Sequence, residues 1–197
     1  MEITSTVGRS HPDYARLPAS ISEPRWYVVY TSANHEKSVA GQLENRLIQH
    51  FLPLYESMRW WKDRQVRLRL PLFPGYVFVR LALCDRLRVL EVPGVVRLVG
   101  FGGILCALPD EEIRAIQGCL SRGCLLEPHP YVHVGHRVRV NAGPLQGLEG
   151  VVVRKKNRVR FVLSLELINR SASVEIDAAD LEQVSMPGKV TKKTSRS

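Results

Sequence analysis

The densest chemistry in this 197-residue sequence is a run of cations with two indoles among them: Arg59, Trp60, Trp61, Lys62, Arg64, Arg67 and Arg69, interrupted by a single acid, Asp63. Cationic side chains contact phosphates and an indole stacks on an unpaired base, so Arg59, Trp60, Lys62, Arg64 and Arg67 are candidate nucleic-acid-binding residues. The competing reading is a solvated hairpin whose tryptophans pack inward. A second basic cluster, Arg154, Lys155, Lys156, Arg158 and Arg160, spans an expected hairpin turn at Lys156-Asn157. It suits nascent RNA or ribosome, or is simply a solvated turn.

Other chemistry is weaker. Cys119, Cys124, His129 and His133 are metal-ligand types, but zinc fingers keep a longer stretch between their ligand pairs, and Pro128 and Pro130 stiffen the segment. No metal is expected. Asp110-Glu111-Glu112 sits at an expected helix N-terminus, where the helix dipole accounts for it. Gly100-Phe-Gly-Gly103 does not lead straight into a helix and is a poor phosphate cradle. The sequence has no nucleophile elbow, zinc-protease motif, phosphate loop or dinucleotide fingerprint. It therefore reads as a binding protein, with no catalytic residue and no cofactor.

Lys and Arg total 28 against 19 Asp and Glu, a net charge of +9, which favours acidic partners. No apolar run approaches the roughly 20 residues of a membrane helix, and the polar N-terminus lacks a secretory stretch. A cytoplasmic monomer with free thiols and no membrane partner is expected.

Residues 1–24 read as a flexible arm, 25–122 as a first folded unit, 123–131 as a linker, 132–185 as a second unit and 186–197 as a basic disordered tail. In the first unit Trp26–Thr31 favours a strand, and a helix capped by Asn34 follows with Val39, Ala40, Leu43 and Leu47 on its apolar face. Phe51–Trp61 looks extended. Pro74–Leu81 is a strand with Tyr76 and Phe78 on one side and Val77, Val79 and Leu81 on the other. A short helix over Asp85–Glu91, a strand over Val95–Val99 and a helix from Asp110 burying Ile113, Ile116 and Leu120 complete an α+β unit. The second unit has five short strands at Arg137–Val140, Gly150–Val153, Val159–Leu167, Ser173–Ile176 and Leu181–Val184. That rhythm suits a small SH3-like β-barrel, and its β-branched, glycine-interrupted segments favour a barrel over any helical alternative.

Two sets of motifs carry a family resemblance. Val134–Val151, with Gly135, Gly143, Pro144, Gly147 and Gly150, closely resembles the KOW motif of NusG-type factors and several ribosomal proteins. Gly143-Pro144 suits a tight turn, while Gly147 and Gly150 suit close backbone approach. Trp26-Tyr-Val-Val29, Leu72–Val79, Pro93–Arg97 and Gly100–Gly103 resemble, in order and spacing, the NusG N-terminal (NGN) domain, an α/β sandwich with an antiparallel sheet. Phe51–Leu54, Arg59–Arg64 and Pro71–Tyr76 resemble specialised paralogs, among them the UpxY-type antiterminators of polysaccharide operons; RfaH is more distant. A KOW-type ribosomal RNA-binding or ribosome-assembly protein is the alternative, but such proteins lack the Phe73–Tyr76 strand in this context.

The resemblance implies a transcription elongation or antitermination factor. Its NGN domain would grip the β′ clamp helices of RNA polymerase through Tyr27, Phe73, Pro74, Tyr76 and Phe78. For Phe78 an ordinary core role competes, whereas the hydroxyl of Tyr76 tolerates a wet edge. The basic segment would lie near the non-template DNA of the transcription bubble. A KOW loop at Leu167, Ile168, Asn169 and Arg170 would recruit a small-subunit ribosomal protein or Rho. Ile168 stands where the general factor carries an aromatic, which weakens the expectation of Rho binding.

Overall fold

A computed structural model describes residues 21–61, 64–129, 136–155 and 158–184. The first 20 residues of the expected arm, Lys62, Gly135, the Lys156-Asn157 turn and the basic tail lie outside the described residues. In chain order come β1 (Arg25–Thr31), α1 (Glu36–Asn45), β2 (His50–Phe51), β3 (Leu54–Trp61), β4 (Arg64–Pro71) and β5 (Tyr76–Leu81). Then come α2 (Arg86–Leu90), β6 (Val95–Leu98), β7 (Gly100–Phe101), β8 (Ile104–Leu105) and α3 (Asp110–Ser121). Six further strands follow: β9 (Glu127–His129), β10 (His136–Val140), β11 (Glu149–Lys155), β12 (Arg158–Leu165), β13 (Arg170–Glu175) and β14 (Leu181–Gln183). Among the described residues the backbone separates into two units, one lying within residues 21–52 and 74–113 and the other within 53–73 and 114–184.

The first unit is built on a four-stranded antiparallel sheet in the order β2-β5-β1-β6. Strand alternation sends Tyr27 and Val29 of β1 and Val77, Val79 and Leu81 of β5 to one side. There they join Val39 and Leu43 of α1 and Val89 of α2 in one buried cluster. The helical spacing of Val39 and Leu43 is what turns that stripe of α1 to the sheet. Asn34 does not cap α1. It adopts a left-handed φ of 61°, which asparagine tolerates, and His35 takes the cap position without a side-chain bond.

The second unit contains the β3–β4 hairpin and a six-stranded antiparallel sheet in the order β14-β10-β11-β12-β13-β9. Val138, Val140, Phe161, Leu165 and Ala172 are among its buried residues. The expected linker is partly strand: Glu127–His129 pairs with β13, with Ser173 opposite Glu127. Pro128 is compatible with this because β9 is an edge strand, where a missing N–H costs no ladder bond.

Candidate functional site

Register assembles an aromatic face on the first unit's sheet. Antiparallel pairing sets Tyr30 opposite Tyr76 and Val28 opposite Phe78, so these side chains share the face turned away from α1 and α2. Tyr30 and Tyr76 lie with ring centroids 5.5 Å apart and tilted by 49°. Phe51 of β2 lies 6.1 Å from Phe78. From β6, opposite Tyr30, the Arg97 guanidinium carbon sits 5.5 Å from the centre of the Tyr30 ring, within cation–π range. Tyr30 keeps 37% of its surface and Pro74 is exposed, while Tyr76 is half-buried.

Three of the five residues expected on this surface are core instead. Phe73 and Phe78 are buried at 1% and 0% exposure. Tyr27 belongs to the opposite, helix-covered face and is 1% exposed. Burial raises its phenol pKa, with Arg25 nearby pulling the other way. An alternating strand cannot present Tyr27 and Tyr76 on one face when Tyr27 lies opposite Val79. The exposed partners are Tyr30 and Arg97, which the sequence reading did not single out.

A buried acid holds the turn that launches Tyr76. Glu36, 6% exposed at the start of α1, accepts a 2.7 Å hydrogen bond from the Gly75 N–H. The Gly75 carbonyl in turn accepts from the Thr31 N–H at 2.9 Å, fixing the turn to β1. Gly75 has a φ of +85°, the region glycine enters without strain.

The basic hairpin has two unlike sides. Pairing of Arg59 with Val66 and of Trp60 with Gln65 fixes the alternation. One side carries Glu56, Met58, Trp60, Gln65, Arg67 and Arg69, all exposed. The other carries half-buried Tyr55, Ser57, Val66, Leu68 and Leu70, with Arg59 and Arg64 exposed near the tip. The expected set is therefore split, with Trp60 and Arg67 together and Arg59 and Arg64 apart from them. Trp60 is 75% exposed, which rules out inward packing for that indole. Glu56 reaches Arg67 at 3.5 Å, but both groups are well exposed and the pair is weak.

Residues 24–117 match the family model described as "Transcription termination factor nusG". The "Transcription termination/antitermination protein NusG" of Escherichia coli strain K12 is 30% identical over 174 residues, covering 81% of this chain and 96% of its own length. The protein of that name from Staphylococcus carnosus is 27% identical over 187 residues, covering 85% and 100%. A solved structure of Thermotoga maritima NusG aligns with a TM-score of 0.55 at 23% identity, covering 83% of this chain and 98% of that one. The chain belongs to the NusG family.

Burial likewise divides the residues expected to recruit a partner through the second unit. Leu167 and Ile168 are 3% and 5% exposed, because the short turn after β12 folds both into the interior. They are core. Asn169, at a φ of 50°, and Arg170 are exposed. Arg160 of the second basic cluster is engaged with carboxylates, Glu127 at 2.6 Å and Glu175 at 3.2 Å, which raise its pKa and tie β9 and β13 to β12.

The glycines of the expected KOW motif act by different means. Gly143 and Gly147 have φ of +81° and +85° with open space beside them, so conformation and not close approach is what Gly147 supplies. Gly150 is the close-approach glycine: a Cβ there would meet the Phe161 ring at 2.5 Å. Among the described residues no group of three His, Cys, Asp or Glu could hold a metal ion, and no helix is long and apolar enough to cross a membrane.

Proposed function

We propose that this chain is a cytoplasmic transcription elongation and antitermination factor that docks on the β′ clamp helices of RNA polymerase through Tyr30, Pro74, Tyr76 and Arg97. The observation that carries this reading is the Tyr30–Tyr76 pair, solvent-accessible on a sheet whose Trp26, Tyr27 and Phe78 are buried. Helix-binding surfaces need apolar anchors of this kind, and tyrosine offers a broad contact with few rotatable bonds to freeze. The Arg97 cation at the edge favours an acidic side chain on the partner helices. Membership of a family whose relatives bear the name termination/antitermination protein supports the transcriptional role.

On the same reading the Trp60–Arg67–Arg69 side of the hairpin contacts the displaced non-template strand, by stacking and phosphate contact. Asn169 and Arg170 contribute to recruiting a small-subunit ribosomal protein in preference to Rho. The polypeptide acts as a monomeric adaptor without chemistry of its own.

Binding to purified RNA polymerase tests the docking claim. Alanine at both Tyr30 and Tyr76 should weaken affinity by about 2–4 kcal/mol, the range of central aromatic anchors. Tyr27→Phe, altered only on the covered face, should bind as the parent does. Unchanged affinity of the double alanine variant, with its fold intact by circular dichroism, would end this reading.

A further inference from the structure

The end of α3 carries an arrangement that the transcriptional reading does not use. Gly123 has a φ of +73°, its N–H bonds the Leu120 carbonyl at 3.2 Å, and the Cys124 N–H bonds the Cys119 carbonyl at 2.9 Å. This pair of bonds is the Schellman helix stop, with Cys119 at C3, Gly123 at C′ and Cys124 at C″. The motif brings the C3 and C″ side chains into contact, usually as two apolar groups. Here both are thiols. Cys119 is fully buried and Cys124 half-buried, whereas Cys84 and Cys106 have no such partner in sequence or in the described helix ends.

We propose that Cys119 and Cys124 are a thiol–disulfide couple at the end of α3, oxidised by exchange with a low-molecular-weight disulfide such as oxidised glutathione. Disulfides need their two backbones close, and the 2.9 Å bond between Cys124 and Cys119 supplies that closeness before oxidation. Cys124, the more accessible thiol, loses its proton and attacks one sulfur of the small disulfide, expelling one thiolate and forming a mixed disulfide. Cys119 then loses its proton and attacks the Cys124 sulfur, expelling the second small thiolate. Two protein thiols are oxidised to one disulfide, the reagent is reduced to two thiols, and the released protons end on those thiols. Burial and the neighbouring Cys124 push the Cys119 thiol up to about 12, which makes the second step the slow one. The oxidised form closes the helix stop covalently, three residues before β9 begins at Glu127.

The full chain is equilibrated in glutathione buffers of graded ratio, its remaining thiols are alkylated, and it is digested with trypsin without reduction. Cleavage at Arg122, between the two cysteines, makes the link visible as two peptides joined by one disulfide. The joined pair should be the main oxidised product, reaching half-occupancy at about tenfold less oxidised glutathione in the folded chain than in urea. Gly123→Ala, which strains the left-handed stop, should move that midpoint toward the urea value. Cys119→Ser should leave Cys124 as the glutathione mixed disulfide. Equal midpoints in buffer and urea, or a Cys124 that stays a free thiol in Cys119→Ser, would overturn the proposal.

Discussion

At the scale of single residues, the surface hangs on groups that do not themselves reach it. Glu36 is the clearest case, since its carboxylate holds the Gly75 N–H immediately before Tyr76. Glu36→Ala leaves that donor unmet in a part-buried turn and should cost about 1.5–3 kcal/mol, the range for hydrogen bonds to charged groups. Polymerase affinity should fall with it, and Glu36→Gln, which keeps an acceptor, should lose less of both. Urea unfolding and a binding titration read the two effects; an alanine variant as stable as the parent would show that the bond contributes nothing. Tyr27 makes a complementary case at high pH. Its folded-state pKa lies above the ordinary 10.0 through burial, so the protonated phenol is favoured by folding. Its contribution is fully present below pH 10.0 and is lost as pH climbs from there through the raised folded value. Cys119, raised from 9.0 to about 12, acts in the same direction over that interval. Tyr27→Phe should therefore flatten the alkaline decline in the urea midpoint, and Cys119→Ala should flatten it further. A Tyr27→Phe chain with the parent's full alkaline slope contradicts the assignment.

At the scale of elements, the hairpin shows what a sequence reading can and cannot deliver. The cation-rich run was legible from composition alone, and so were the β1 and β5 strands from their β-branched and aromatic residues. The side on which each cation falls was not, because it depends on the register that sets Arg59 opposite Val66. The same ambiguity leaves the face of Tyr27 open in the sequence and hides Tyr30, whose place is known only once it is set opposite Tyr76. Leu167 and Ile168 are core despite their loop position, because sequence alone does not reveal that a short turn folds inward. The strand at Glu127–His129 was hidden by Pro128 and by its dependence on Arg160 and β13, which lie more than 30 residues away. The register also yields a sharper prediction for nucleic acid. Charge reversal at Arg67 and Arg69, which share a side with Trp60, should weaken crosslinking of the hairpin to the non-template strand by about tenfold, in line with the loss of two phosphate contacts. The same change at Arg59 and Arg64 should act less. If the two pairs act equally, the two-sided reading of the hairpin fails.

For the molecule as a whole, an excess of nine positive charges leaves open whether attraction to polymerase or to nucleic acid dominates. Salt separates the two. Docking through Tyr30 and Tyr76 removes aromatic surface from water and should change little between low and physiological salt. Phosphate contacts release counterions, and each one on a single strand contributes a slope of roughly −0.7 in log K against log salt. Affinity for core polymerase without nucleic acid should therefore show a shallow salt dependence. Affinity for an elongation complex with an open bubble should fall more steeply, and replacing Arg67 by alanine should take back about one contact's worth of that slope. Covalent linkage sharpens the contrast, because docking by one part of the chain turns every later contact into an intramolecular one and adds to apparent affinity without adding to the salt slope. A steep slope on core polymerase alone would place the charge, and not the tyrosine pair, at the centre of recruitment. It would move the docking surface from the sheet of the first unit to its cations, with Arg97 the first to be tested.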